Sequence, residues 1–231
     1  GRDASNPAVD TMDFIEIATA GNATDFGNLS DGGRDYPSGC GSATRGIFFG
    51  GSEPGFRNII DYVIMSSSGG ANDFGNLNVA TLRDGGKVCN STRGIWAGGQ
   101  VIPSTSPGTV NIIQFVTMAT TGDASDFGDL TTASTGSGGS ASRTRGLFTN
   151  RRVSGSPAYT NEIDFVTIAS TGNAQDFGDS TLANGYNRAL SSQIRSLGLA
   201  YSSVNTINYV TIAQQGNAVD FGDQTGVLEG G

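Results

Sequence analysis

The stretch that decides the fold reads Met12-Asp13-Phe14-Ile15-Glu16-Ile17, then Gly21-Asn22-Ala23, then Asp25-Phe26-Gly27. It returns four more times, and the later copies of Asp-Phe-Gly begin at Asp73, Asp126, Asp176 and Asp220. Successive copies lie 48, 53, 50 and 44 residues apart. A period of this length is typical of a supersecondary unit that is stacked or ringed several times, because one unit alone cannot bury its own apolar faces.

A second motif alternates with the first. Thr44-Arg45-Gly46-Ile47-Phe48 recurs as related strings at 92–96 and 144–148, and weakly around Arg195. The string Thr225-Gly226-Val227-Leu228 looks like the same motif without its arginine. We therefore expect the C-terminal residues to supply the element that the first repeat lacks.

The composition favours an all-β protein. Glycine accounts for 36 of 231 residues, and the apolar fraction is 36%. Runs rich in β-branched and aromatic residues, which favour strands, occupy 59–64, 112–118, 163–168 and 207–212. The sequence has no convincing helical period, no apolar run near the ~20 residues of a membrane span and no signal-peptide pattern, so a soluble chain is expected.

Each repeat unit can be divided into four strands. Counted from Cys40, they are expected at 40–43, at 46–49, at 59–65 and around Asp73-Phe74-Gly75. A tight turn at Thr44-Arg45 joins the first two strands, and Gly50-Gly51 ends the second. This pattern resembles kelch repeats, four-stranded propeller blades with a double glycine after the second strand. The match is partial, since Phe74 stands where a kelch blade usually has tryptophan.

A closer resemblance is to the kelch-like repeat proteins of marine tailed bacteriophages. The strings that carry it are best preserved at 44–48, 126–130, 163–168 and 172–174, and the similarity covers essentially all 231 residues. It implies a non-enzymatic β-propeller on the exterior of the virion that acts as a structural, docking or receptor-binding module, for example in a tail fibre that recognises the host. Its expected partners are other virion proteins or a receptor on the host surface.

The repeats predict a single domain over residues 1–231, folded as a five-bladed propeller with about 46–50 residues in each four-stranded blade. The N- and C-terminal segments are expected to close the ring in one blade. Thr225 follows Asp220 by five residues, whereas Thr44 follows Asp25 by 19, and this spacing leaves open whether that blade has its first strand. The repeat units are expected at 1–51, 52–99, 100–150, 151–198 and 199–231.

The charge and the residue types narrow the function. The net charge is −8, and the 13 basic residues include one lysine, Lys87. A surface that binds the phosphate backbone of a nucleic acid needs clustered positive charge, so nucleic acid is not expected as a partner. The sequence contains no histidine and shows no nucleophile with a paired base, so neither an enzyme nor a cofactor is predicted. Cys40 and Cys89 occupy nearly equivalent positions in adjacent units, which predicts small buried thiols too far apart for a disulfide.

The repeated aspartates and arginines are expected to be structural. Paired carboxylates such as Asp126 and Asp129 would suit calcium, but the favoured interpretation is that each Asp ties a turn and each Phe packs between blades, without a metal. The repeated Arg is expected to pair with the repeated Asp on one face, and the alternative is a ring of arginines that binds an anion. The repeat positions are Asp25, Asp73, Asp126, Asp176 and Asp220, with Arg45, Arg93, Arg145 and Arg195.

Two loops vary most between the units, and both are expected on one face. They join the second strand to the third, and the fourth strand to the next first strand. Variation concentrated on one face of a repeat protein is where ligands usually bind. The candidate binding residues are Arg34, Tyr36, Phe56, Arg57, Arg152, Tyr159, Tyr186 and Arg188. They could instead be unselected loop residues. If they bind, they favour a second function, a lectin-like propeller that recognises surface glycans.

Overall fold

The computed structural model describes residues 8–52, 55, 57–79, 84–101, 108–154, 158–185, 188–199 and 204–227. Within these residues the chain forms nineteen strands in five antiparallel sheets and no helix. The predicted all-β class is therefore confirmed.

The sheets follow one another along the chain, and we number them I to V. Sheet I contains β1 (Thr11–Phe14) and β2 (Thr24–Asn28). Sheet II contains β3 (Ser38–Gly41), β4 (Arg45–Phe49), β5 (Ile59–Ile64) and β6 (Asn72–Asn76). Sheet III contains β7 (Gly86–Cys89), β8 (Arg93–Ala97), β9 (Ile112–Thr117) and β10 (Ser125–Asp129). Sheet IV contains β11 (Ser134–Thr135), β12 (Gly138–Ala141), β13 (Arg145–Val153), β14 (Tyr159–Thr167) and β15 (Gln175–Asp179). Sheet V contains β16 (Arg188–Ser191), β17 (Arg195–Leu199), β18 (Thr206–Thr211) and β19 (Val219–Asp223).

Sheets II, III and V are four-stranded meanders, as the repeat predicts. The first strand of sheet II begins at Ser38 rather than at residue 40, because Ser38 pairs with Phe49 at the far end of β4. Sheet IV has a longer β13–β14 hairpin, onto which the short strand β11 adds. Sheet I has two strands, and the C-terminal strand expected to join it is not formed at 225–227, while 228–231 lie outside the described residues.

The Asp-Phe-Gly motif forms a bulge in the last strand of each sheet. In β10 the register against β9 shifts between Asp126 and Gly128, and Gly128 has a φ of +143°, which favours glycine. The aspartate fixes the bulge through its own backbone. The N–H of Gly178 donates to Oδ1 of Asp176 at 2.9 Å, and the same bond joins residues 27 and 25, 75 and 73, and 222 and 220 at 3.0 Å. The prediction that the repeated Asp ties a turn is confirmed at these four positions.

The bulge glycine is also where consecutive sheets meet. A Cβ atom on Gly128 would lie 2.5 Å from the backbone of Gly172, which is in the β14–β15 turn of the next sheet. This close approach lets the N–H of Gly172 donate to the carbonyl of Phe127 at 2.6 Å, and the N–H of Ala174 donate to that of Asp129 at 2.8 Å. Equivalent pairs of hydrogen bonds join sheets I and II, II and III, and IV and V. Gly128 is therefore required by backbone contact between sheets, whereas the Cβ position of Gly172 is open and its φ of +154° favours glycine.

Apolar side chains fill the space between consecutive sheets. Between sheets III and IV, Phe127 and Ile113 cluster with Val166 and Ile168. Edge-to-face ring pairs recur within the sheets, for example Phe115 with Phe127 at a centroid distance of 5.8 Å. The predicted burial of the repeated phenylalanines is confirmed for three of them, since Phe74, Phe127 and Phe177 are each 2% exposed.

The outer face of sheet V and the outer face of sheet I differ from all other junctions. Phe221 is 54% exposed, so its predicted burial is wrong, because no following sheet covers it among the described residues. On sheet I, Ile15 and Ile17 are 63% and 95% exposed, whereas their equivalents Val166 and Ile168 are buried. We call these two surfaces the end faces. Gly222 has no atom within 4 Å of its Cβ position, whereas the Cβ position of each of the other four bulge glycines lies within 2.6 Å of the next sheet's turn.

Phe127→Ala should lower the free energy of unfolding by about 3–5 kcal/mol, because it removes a ring from a packed cluster and leaves a cavity. The exposed Ile194→Ala is the control and should shift stability by less than about 0.5 kcal/mol. Urea denaturation of both variants checks the prediction. Equal midpoints for Phe127→Ala and the original chain would show that the ring does not stabilise the junction.

Candidate functional site

The repeated arginines contact the next sheet rather than the repeated aspartates. Nη1 of Arg93 donates to the carbonyl of Ile168 at 2.9 Å, and its guanidinium lies 4.4 Å from the ring centroid of Phe115. Arg45 and Arg145 make the same type of bond, to Met118 and Ile212, and Arg195 stacks on Tyr209. The predicted Arg–Asp pairing is therefore wrong. The guanidinium instead satisfies a carbonyl at the end of the neighbouring sheet's third strand and makes a cation–π contact within its own sheet.

Arg34, a candidate binding residue, is part of the core. Its side chain is fully buried, forms an ion pair with the buried Asp61, and donates to the carbonyl of Gly50 at 3.1 Å. Desolvation lowers the pKa of Arg34, while Asp61 favours its charged form. The proposal that Arg34 contacts a ligand is corrected, because a guanidinium buried in this way needs its carboxylate partner. Sheet IV repeats the arrangement with Arg151, whose Nη2 lies 2.9 Å from a carboxylate oxygen of Glu162.

Three other candidates come together around one cavity. The first strands of sheets II to V contact each other in order, β3 with β7, β7 with β12, and β12 with β16. Between them lies a cavity of about 800 Å³, which we call the central cavity. Tyr36, Tyr159 and Arg188 line it, although Tyr36 precedes β3 of sheet II, Tyr159 is in sheet IV and Arg188 is in sheet V. The central cavity opens at the end of these strands where the variable loops lie.

The remaining candidates lie elsewhere. Arg57 forms a partly exposed ion pair with Asp31 at 2.5 Å and does not line the central cavity. Arg152 is exposed and lies beside Gly185, outside the cavity lining. Phe56 and Tyr186 fall outside the described residues.

Lys87 and Asp84 were not selected from the sequence, yet both line the central cavity. Burial and the nearby Arg188 lower the pKa of Lys87, while Asp84 favours its charged form. A signal for Lys87 was present in the sequence, since it is the only lysine and it lies at the end of a segment that varies between the repeats. The sequence could not predict that Lys87 lies near Arg188, because the two residues are about a hundred positions apart in the chain.

The backbone at the cavity rim adopts an unusual conformation. Tyr36, Asp84 and Gly136 each lie two residues before the first strand of their sheet, and their φ angles are +52°, +56° and +68°. Glycine adopts this conformation readily, whereas tyrosine and aspartate do so at an energetic cost. The side chains of Tyr36 and Asp84 are thus held at the rim by a strained backbone.

The two cysteines lie where the first strands of sheets II and III contact each other. The Cys89 thiol donates to the carbonyl of Gly41 at 3.1 Å and also lies 3.2 Å from the Gly41 nitrogen. Both cysteines are free, in agreement with the prediction that no disulfide joins them, and both are partly buried rather than fully buried. The interaction with the Cys40 thiol and the Gly41 N–H lower the pKa of Cys89 to about 7, whereas the interaction with Cys89 and burial raise the pKa of Cys40.

No family model and no curated protein sequence matches the chain. The resemblance to kelch-like phage proteins therefore stays a prediction. In the described part of the chain, no helix has the length and apolar character that crossing a bilayer requires.

Alkylation of Cys89 by iodoacetamide should rise through about pH 7, because the thiolate is the reactive form and the pKa of this thiol is lowered to about that value. Cys40→Ala removes the donor thiol and should move the rise towards the ordinary pKa of 9.0. Mass spectrometry of the labelled peptides measures both profiles. Identical profiles for the original chain and Cys40→Ala would contradict the contact between the thiols.

Proposed function

We propose that the five sheets are the blades of a closed, kelch-like β-propeller in which sheet I docks on sheet V. The support is the match between the two end faces. At each of four junctions, a Gly-containing turn of one sheet contacts the bulge glycine of the sheet before it. The end faces carry the two halves of a fifth such junction: the turn Gly21-Asn22-Ala23 on sheet I and the bulge Asp220-Phe221-Gly222 on sheet V. Phe221, Ile15 and Ile17 supply the apolar surface that the other junctions bury.

Gly222→Ala tests this closure against Gly128→Ala, its equivalent at a formed junction. Their φ angles are +139° and +143°, so the backbone strain from an added Cβ is nearly the same in both variants. If the ring closes, both should lower the free energy of unfolding equally, because each added methyl collides with a neighbouring turn. A clearly smaller loss for Gly222→Ala in urea denaturation would mean that sheet V has no following sheet.

For the function, we propose a non-catalytic module of a tailed phage particle that docks another virion protein or a host receptor. The observation that carries this proposal is the central cavity, which gathers side chains from several repeats on the side of the variable loops. Such a site can bind a partner without catalysing a reaction, and the sequence contains no histidine for general acid–base catalysis. The assignment to a virion rests on the resemblance of the repeats.

A second candidate is a carbohydrate-binding propeller, and the two tyrosines of the central cavity favour it. Tyr36 and Tyr159 are 57% and 42% exposed, although large aromatic residues are usually more buried. An exposed tyrosine offers a flat apolar face together with a hydroxyl, which suits a ligand with both kinds of surface.

The double variant Tyr36→Ser/Tyr159→Ser should weaken binding at least tenfold while changing stability by only about 0.5 kcal/mol for each substitution. A glycan array and an electron-microscopy reconstruction of the particle that carries the chain would separate the two functions. Array binding favours the lectin, and density for the chain between virion proteins favours docking.

Arg143→Ala serves as the matched control, since Arg143 is exposed in the turn at the opposite end of the first strands. This variant should bind normally. If Arg143→Ala loses binding while the tyrosine double variant binds fully, and both variants are folded, then the assignment of the binding face to the cavity side is wrong.

A further inference from the structure

The central cavity holds two positive charges. Lys87, from the first strand of sheet III, and Arg188, from the first strand of sheet V, both line it. Within the described part of the chain, neither side chain forms a hydrogen bond or an ion pair. Asp84 is the one acidic residue among the described lining residues. The cavity therefore carries excess positive charge in a chain whose net charge is −8.

This arrangement is unfavourable without an anion. Like charges that share a partly desolvated space repel each other, and burial disfavours the charged form of Lys87. The two fully buried cations of the described residues, Arg34 and Arg151, each lie beside a carboxylate. The partly buried Lys87 and the exposed Arg188 form no such pair in the described part of the chain. An anionic group between them would form charge-assisted hydrogen bonds with both and offset the repulsion.

The same cavity also offers an aromatic surface. The ring of Tyr159 packs against Gly185, where a Cβ atom would lie only 2.5 Å from a ring carbon. Glycine at this position lets the ring rest on the backbone. Tyr36 lies at the rim in its left-handed conformation. Tyrosine rings fixed in this way can pack against the apolar C–H face of a sugar while their hydroxyl groups bond to its oxygens.

We propose that the central cavity binds an acidic saccharide, whose sugar ring packs on Tyr36 and Tyr159 and whose carboxylate lies between Lys87 and Arg188. This inference rests on the proposed binding role of the cavity and specifies the class of its ligand. A cavity of about 800 Å³ is within the usual size of small-ligand sites, roughly 300–1,000 Å³, and accommodates a mono- or disaccharide.

Calorimetric titration of the full chain tests the inference with matched pairs of sugars. The acidic probes are the methyl glycosides of glucuronic and galacturonic acid, together with N-acetylneuraminic acid. The neutral controls are methyl glucoside and methyl galactoside, and sodium sulfate is the control for a plain anion. At least one acidic sugar should bind ten times more tightly than its neutral counterpart and than sulfate. Its affinity should fall as salt is added.

Two charge variants identify the site. Lys87→Met keeps the length of the side chain, and Arg188→Gln changes an exposed residue, so both variants should fold. Each should reduce the affinity for the acidic sugar at least fivefold. The affinity for neutral sugars should not change. Arg57→Gln, which lies outside the central cavity, should bind as the original chain does. If Lys87→Met fails to fold, Arg188→Gln decides the result.

The outcomes separate this inference from the proposed function. Equal binding of acidic and neutral sugars, sulfate binding as tight as that of the sugars, or no binding of any acidic sugar would each overturn the acidic-saccharide site. The cavity would remain a docking site if the tyrosine double variant still lost binding to the particle. Retained particle or glycan binding by that double variant would instead overturn the proposed function.

Discussion

The structure depends on a contact between backbones at the bulge in the last strand of each of sheets I to IV. There the carbonyls of one sheet accept hydrogen bonds from the turn of the next, at a distance that excludes any Cβ atom between them. The apolar clusters and the Arg–carbonyl bonds lie on either side of this contact. Because it uses only backbone and glycine, the loops of one repeat can change without altering how its sheet attaches to the next.

The repeat pattern made most of the fold predictable. A bulge that needs Asp and Gly, and a turn that needs Gly, restrict those positions strongly enough to be visible in one sequence. The arginine contacts were less predictable. The repeated carboxylate is visible in the sequence as a partner for Arg93, whereas the carbonyl of Ile168, to which Arg93 donates, belongs to a backbone that the sequence does not place. Which partner the arginine contacts depends on the distance between neighbouring sheets.

The candidate site was predictable only in part, for a similar reason. Variation between repeats drew attention to Tyr36, Tyr159 and Arg188, which the structure brings together around the central cavity. It could not exclude Arg34, because a variable loop can supply a core ion pair as readily as a surface contact. It could not associate Lys87 with Arg188 either. That proximity arises because the first strands of separate repeats converge on one space.

The two end faces have different shapes, a turn on one and a bulged strand on the other, so neither can pair with itself. Two copies of the chain joined through them would form a head-to-tail contact and leave one face of each kind free, and growth could continue without limit. The closure proposed above, within a single chain, would remove that possibility. In such a closed ring, β1 and β2 would cover Phe221 and the carbonyls of β19, which without them form an open edge that favours aggregation.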